Sequence, residues 1–436
     1  MISSDTVRRN ETLFCMESGS TQQCKRFAGK RVAMVSFSPY PFDPRVRRAA
    51  DALIGGGAII DLICIGSENT PGREILNGIE VLRVPLNKQE RGGKLKYLYR
   101  YAVFILIATF IFALRAMTRG YDLVYVHNMP DVLVVCSLIP KALRAKVILD
   151  IHDPMPELMM TIFSAKRESW SVRLLKSLEK WSLARADLVL TVNIACKRLL
   201  SSRSCNTEKI GVVMNSPDGQ IFPFRCAQLG TFARAEGRSF VVMYHGSLLE
   251  RNGLDLAVDA LARIRETVPT VELRIYGHAT PFLERVMESA RNKSLDGMVR
   301  YLGPKRLEDL VLEIENCDVG IIPNHRSAFT KINTPTRIFE YLILGKPVIA
   351  PRTPGIQDYF GPESLFFFDS GNADQLAERI EYVFSHPAEA VETTERGQSV
   401  YLAHTWRQER QTLVHLIDGL LNGGITDQSL EVARQA

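Results

Sequence analysis

No C-x-x-C pair occurs among the eight cysteines, which stand scattered at Cys15, Cys24, Cys64, Cys136, Cys196, Cys205, Cys226 and Cys317. That spacing excludes the usual structural zinc site, and scattered thiols without a secretory signal fit a reducing cytoplasm. An apolar signal core is missing from the polar first 29 residues, so 1–29 reads as a disordered extension. Charge of one sign is not in large excess. A formal net charge of +6 does not demand nucleic acid, and none is expected as a partner, but it suits an anionic substrate or membrane surface. Tandem short repeats are also absent. What is present is an apolar fraction of 46% in 436 residues, enough for two domains with cores of their own.

The chain alternates buried-strand patterns with helical ones in two series. Strands are predicted at 32–37, 59–65, 78–84, 123–127, 147–151, 187–193 and 210–214, then at 240–244, 271–276, 299–302, 319–323 and 347–350. Helices are predicted at 171–186, with an apolar stripe of Leu174, Leu175, Leu178 and Trp181, and at 256–267 and 307–316. Polar, aperiodic residues 224–238 form the expected linker. This divides the chain into an N-terminal domain 30–223, a C-terminal domain 239–400, and 401–436, a helix crossing back to the first domain followed by a tail.

The stretch KINTPTRIFEYLILGKPVIA (331–350) organises the second series. Thr334 is a suitable helix N-cap, Pro335 fits the first helical position, and Gly345 supplies a left-handed stop. Ile338, Tyr341 and Leu342 give one apolar face. A helix N-terminus with Arg337 beside it suits phosphate, and Glu340 one turn deeper can accept hydrogen bonds from a sugar diol.

Two features of the first series stand out. The loop SPYPFDPRVRR follows the first strand, at the edge where ligands gather in parallel sheets; it reads either as a rigid turn before a basic helix or as an acceptor loop. From Ala102 to Leu114 there is no charged residue. The run is too short to span a bilayer simply. It reads as a buried core helix or as a membrane-surface helix over 97–117. The flanking Arg91, Lys94, Lys96, Arg100, Arg115 and Arg119, with Tyr97, Tyr99 and Tyr101, favour the surface. His127 and His152 each end a predicted strand beside the expected cleft. A metal set of His152, Asp153 and Glu157 is disfavoured, since its acids follow one histidine locally and no second ligand cluster is evident.

In order, FDPRVRRAADAL, VYVHNMPD, KVILDIHDPMPE, VVMNSPD, YHGSLLERNGLDLAV and RIFEYLILGKPVIA resemble glycosyltransferase family 4, in its bacterial surface-polysaccharide branch, over about residues 31–420. The resemblance implies an α/β GT-B fold: two Rossmann-like domains with parallel sheets facing a central cleft. It implies a retaining glycosyltransferase that moves a sugar from a nucleotide-diphosphate donor to a membrane-associated, polyprenyl-diphosphate-linked glycan acceptor. It implies no cofactor and no metal, and a cytoplasmic protein peripherally bound to the inner face of the plasma membrane. His152, with Asp153, falls where the family has its histidine near the transferred sugar. Gly246, Ser247, Arg251 and Asn252 fall in the donor-diphosphate loop. Gly277 and Ile338 fall on the rim of the nucleoside pocket, and Glu340 on the ribose-binding glutamate. Tyr40, Asp43, Arg45, His127 and Asn128 fall on the acceptor side.

Three departures from the family are visible. Ile332 stands where the first glutamate of the family's pair belongs, leaving Asn333 and Thr334 as candidates for reading sugar hydroxyls. The usual Arg-Lys diphosphate pair is reduced to Arg251 and Asn252, so Arg337 is expected to supply charge. The glycine-rich loop after the first strand is replaced by SPYPFDP. A sugar-nucleotide epimerase or hydrolase on the same fold, and a non-catalytic sugar-nucleotide-binding subunit, are the rival readings.

Overall fold

The computed structural model describes residues 25–66, 70–86, 94–228 and 238–423. The first domain is built on β1 (Arg31–Val35), β2 (Ile59–Ile65), β3 (Arg73–Leu76), β4 (Ile79–Val84), β5 (Leu123–His127), β6 (Lys146–Ile151), β7 (Leu188–Thr191) and β8 (Ile210–Val212). They form one sheet in the order β3-β4-β2-β1-β5-β6-β7-β8, parallel except for the β3–β4 pair. The second domain carries β9 (Phe240–His245), β10 (Val271–Tyr276), β11 (Val299–Tyr301), β12 (Val319–Ile321), β13 (Val348–Pro351) and β14 (Phe366–Phe368), all parallel, in the order β11-β10-β9-β12-β13-β14. Strand order reverses between β1 and β5 in one sheet and between β9 and β12 in the other. Such switch points open a crevice at the carboxyl ends of the strands. The expected two-Rossmann GT-B architecture is the one observed.

Strands buried on both faces read as unbroken apolar runs. Val32, Met34, Ile60 and Leu62 line one face of the first sheet, and Ala33, Val35, Ile63 and Ile65 line the other. The first face is covered by the helix Pro44–Gly55 and by the C-terminal helix Trp406–Asn422, which returns from the second domain. Leu413, Leu416, Ile417 and Leu420 of that helix are core residues of the first domain. Gly211 makes room for it, since a Cβ there would stand 2.6 Å from Leu416 Cδ1.

The long helix Lys94–Arg119 covers the other face through Phe104, Ala108, Phe112 and Ala116, spaced four apart. It has 26 residues, so by length and composition it could cross a bilayer, contrary to the sequence estimate. One third of its apolar window is nevertheless packed inside the domain. Leu98, Leu106, Phe110 and Met117 project outward, each more than 60% exposed. Three of the expected headgroup cations are engaged elsewhere: Arg115 pairs with Asp61 and Glu80, Arg119 pairs with Glu80 at 3.4 Å, and Arg100 is buried. Arg91 lies outside the described residues, as do the side chains of Lys94, Lys96 and Tyr97.

Other differences have local causes. The expected N-terminal extension ends early, because Phe27 is buried and its N–H donates to Gly56 O. Residues 1–24 lie outside the described residues, as do 229–237 of the expected linker. Strands β3 and β14 were not expected from the sequence. In the helix Trp170–Arg185 the predicted apolar stripe is split: Leu174 and Trp181 are exposed and Leu175 and Leu178 half-buried, while Glu179 and Ser182 are buried. Glu179 faces inward because Arg203 pairs with it and with Glu157.

Candidate active site

The first domain's wall follows from strand register. His127 and Asp150 are directly paired across β5 and β6. His152 stands two residues beyond Asp150, and Tyr125 two before His127, so period-two alternation brings all four to one face. Tyr125 donates from its hydroxyl to Asp150 Oδ2 at 2.8 Å. His127 Nδ1 lies 3.3 Å from His152 Nε2, with the rings stacked 5.6 Å apart. Asp150 Oδ2 lies 3.4 Å from His152 Nε2 and 3.7 Å from His127 Nδ1. Burial drives the His127 imidazole down to about 3 and the His152 imidazole well below its usual value, so both are neutral at pH 7. Burial likewise pushes the Asp150 carboxyl up to about 7.

Asn128 ties the two strand ends together. Its Oδ1 accepts from His152 N at 2.9 Å, and its Nδ2 donates to Asp153 O at 2.9 Å and to Asp131 Oδ1 at 3.1 Å. Asp43 caps the helix Pro44–Gly55 by accepting from Arg45 N at 3.0 Å. Burial acts to raise the Asp43 carboxyl, but the Arg45 guanidinium and that backbone bond hold it below the carboxylate range. Arg45 reaches both Asp43, at 3.5 Å, and Asp153, at 3.9 Å. Tyr40 lies in the core, 1% exposed, and burial pushes its phenol up to about 12.

The second domain supplies the facing wall. Beyond β9, Gly246 and Ser247 are exposed, and Ser247 O accepts from Tyr244 Oη at 2.8 Å and from Asn252 Nδ2 at 2.7 Å. Gly277, at φ +152°, approaches this turn so closely that a Cβ would stand 2.1 Å from Gly246 O. Arg251 is half-buried over the Phe329 ring; burial lowers its guanidinium, and Asp153 of the first domain offsets part of that. Arg337 donates from Nη1 to His245 O at 2.8 Å and lies 4.6 Å from the Tyr244 ring centroid. Ile338 is wholly buried.

Glu340 sits on the second turn of the helix Thr336–Ile343. Burial pushes its carboxyl up to about 7, against the pull of Arg337 and of Arg48 from the first domain. Glu340 Oε2 lies 3.3 Å from His245 Nε2, but burial takes that imidazole down to about 3, so the contact joins a neutral ring to a carboxyl and is not an ion pair.

The expected cap at Thr334 is not made. The helix starts one residue later, after Pro335, without a side-chain cap. Thr334 Oγ1 instead donates to Gly355 O at 2.5 Å and accepts from Asn193 Nδ2 at 3.1 Å. Asn193, fully buried, also donates to Ile332 O at 2.8 Å. The loop from Ile332 through Asn333 to Thr334 is thus clasped by the first domain through the backbone of the residue that replaces the family's glutamate. Gly345 does follow the helix in a left-handed conformation, φ +70°.

The structure therefore gathers His152, Asp153, Asn128, His127 and Arg45 on one wall, and Gly246, Ser247, Arg251, Gly277, Arg337 and Glu340 on the other. Arg48, Asn193, His245 and Asp150 were missed from sequence. Arg48 lies in the FDPRVRR motif and Asp150 alternates with His152 in LDIHD, so both had a signal. His245 lies in the motif YHGSLLERNGLDLAV, directly before Gly246, and had one too; Asn193 had none. The His152, Asp153 and Glu157 metal set does not form, because Glu157 is held by Arg203 at 2.6 and 2.8 Å. The group that does converge, with ligand atoms within 4.8 Å of one another, is His127, Asp150 and His152.

The family described as "Glycosyl transferase 4-like domain" matches residues 43–216, and the one described as "Glycosyl transferases group 1" matches residues 232–400. Glycogen synthase of Mycobacterium tuberculosis is 23% identical over 185 residues, 42% of either chain, so the match spans less than half the length of that curated relative. Among solved structures, sucrose-phosphate synthase of Thermosynechococcus elongatus superposes with a TM-score of 0.73 at 17% identity, covering 91% of this chain and 100% of that one. Anabaena HepE in complex with UDP superposes at 0.65 with 16% identity, covering 89% and 100%. Two family matches fall in order on the two sheet domains, and the solved relatives share the whole fold: the chain belongs to the GT-B glycosyltransferase superfamily.

Proposed function

We propose that this is a retaining glycosyltransferase of family 4, moving a sugar from a nucleoside-diphosphate donor to a lipid-linked glycan at the cytoplasmic face of the membrane during polysaccharide synthesis. The observation that carries the reading is the meeting of Glu340, Arg337 and the Gly246–Arg251 loop with His152 and Asp153 across one cleft. Anabaena HepE, on the same fold, has been solved with UDP-glucose. In this reading Glu340 accepts from the ribose diol, and Arg251 and Arg337 stabilise the leaving diphosphate where charge develops. The acceptor hydroxyl attacks from the face the diphosphate leaves, so configuration is retained, while His152 and Asp153 orient the sugar.

Membrane contact is supported by exposed apolar side chains on elements that pack side by side. Leu106 and Phe110 of the long helix, Leu138 and Ile139 of the short helix packed against it, and Trp170 and Trp181 of the helix Trp170–Arg185 are all exposed. Lys166, Arg167, Arg173 and Lys180 are exposed on or just before that last helix and suit anionic headgroups. The test is incubation with UDP-sugars and a polyprenyl-diphosphate sugar in vesicles. A longer lipid-linked product is expected; sugar release or isomerisation without it would favour an epimerase or hydrolase.

A further inference from the structure

We propose that His127 Nδ1, His152 Nε2 and Asp150 Oδ2 form a binding site for one divalent transition cation, with Zn²⁺ the best chemical match. The three atoms form a nearly equilateral triangle with sides of 3.3, 3.4 and 3.7 Å. Ligands bound about 2.0–2.2 Å from a tetrahedral Zn²⁺ stand roughly this far apart. Two imidazoles and a carboxylate are a common zinc donor set, and three protein ligands leave a fourth position for water or a substrate hydroxyl.

Direct hydrogen bonding accounts poorly for the triangle. Both carboxylate–imidazole separations exceed ordinary N–H···O lengths. His127 Nε2 and His152 Nδ1, on the far side of each ring, have no hydrogen-bond partner among the described residues, and a cation at the triangle would leave each as an N–H group, so the geometry of the three facing atoms alone carries the site. A cation would replace the weak three-way contact with three ligand bonds. Tyr125, donating to Asp150 at 2.8 Å, would orient the carboxylate from behind. Arg45 is the nearest competing positive charge, and Asp43 pairs with it at 3.5 Å. The strand ends place the triangle at the crevice, which gives an ion a route in. Nothing here depends on the donor assignment, because metal uptake is read without nucleotide.

Chelator-treated full-length protein would be dialysed against Zn²⁺ for metal analysis and titrated with Co²⁺ in the visible. The expected result is one equivalent per chain and intense tetrahedral Co²⁺ bands, displaced by Zn²⁺. His127→Ala should weaken uptake at least a hundredfold, and Asp150→Asn, which keeps the side-chain shape, at least tenfold; His386→Ala, at an exposed site, should change nothing. No stoichiometric uptake by wild type, or uptake unchanged in both site variants, overturns the inference. UDP binding measured on the same samples separates the two failures: intact UDP binding without metal removes only this site, and metal uptake without UDP binding removes only the donor reading.

Discussion

Glu340→Gln tests the nucleotide site through both magnitude and pH. The carboxyl is buried against the neutral His245 and carries a value of about 7 in the free protein. Hydrogen bonds to a charged acceptor contribute about 1.5–3 kcal/mol. If the ribose diol donates to Glu340, the glutamine should bind UDP roughly 10- to 150-fold more weakly. UDP then selects the ionised form, so wild-type affinity should fall as pH drops through about 7, approaching tenfold per unit below it. The variant should lose Glu340's share of that slope and keep only the part due to the terminal phosphate of UDP, which titrates at about 6 on its own. Folding stability runs the opposite way. The folded carboxyl lies above its unfolded value of 4.5, so Glu340's contribution is fully present below pH 4.5 and lost as pH rises through about 7. Isothermal titration with UDP from pH 5.5 to 8.5 reads the first effect, and melting of the free protein reads the second. Deoxyuridine diphosphate, lacking one ribose hydroxyl, should lose affinity on wild type and lose little more on the variant. Unchanged UDP affinity in the glutamine variant, with a wild-type profile no steeper than the variant's, refutes the ribose assignment.

Gly277→Ala should weaken UDP binding and lower the melting temperature by several degrees, because its Cβ would stand 2.1 Å from Gly246 O at φ +152°; an unchanged melt would refute the close approach. Asn193→Ala removes bonds to Ile332 O, Thr334 Oγ1 and, through its Oδ1, to Cys196 N. A stability loss of about 2–4 kcal/mol is expected, read by urea denaturation. Leu106→Ser with Phe110→Ser should leave the melt near wild type, since those side chains are 70% and 65% exposed. The pair should reduce sedimentation with anionic vesicles at least tenfold, and equal sedimentation would remove the membrane reading.

The parallel strands were legible because residues such as Ile60 to Ile65 are buried on both faces and read as apolar runs. Glu340 and Arg337 were legible because Gly345 marks the helix end and fixes which turn they occupy. The helix start was misread by one residue for a tertiary reason. Thr334's hydroxyl finds Gly355 O and Asn193, partners far away in sequence, and leaves the helix uncapped. Periodicity in Trp170–Arg185 located the helix but not its inner face. The Arg203 pairing with Glu179 and Glu157 puts charge on the inner face beside Val172 and Leu183, and Leu174 and Trp181 of the stripe are left exposed. Asp150 joins His127 only through the β5–β6 register, which no local pattern specifies.

Long-range contacts likewise fix the position where a first glutamate was expected. Ile332 cannot offer a carboxylate, yet its backbone carbonyl is engaged by Asn193, and a Cβ on Gly355 would stand 2.5 Å from its carbonyl carbon. The loop where the family resemblance places an acid is here a contact between domains. Ile194 N donating to Tyr359 Oη at 3.0 Å and Arg198 bridging both Asp358 oxygens at 2.7 and 2.8 Å reinforce that side of the crevice. These bonds link the ends of β7 and of its following helix to the residues flanking β13, while the helix Trp406–Asn422 ties the domains a second time through the first domain's core. With two tethers the walls have little freedom to slide relative to each other. Asn193 joins the two walls through the Ile332–Thr334 loop, so Asn193→Ala is expected to weaken UDP binding as well as stability; isothermal titration reads this, and unchanged affinity would refute the link.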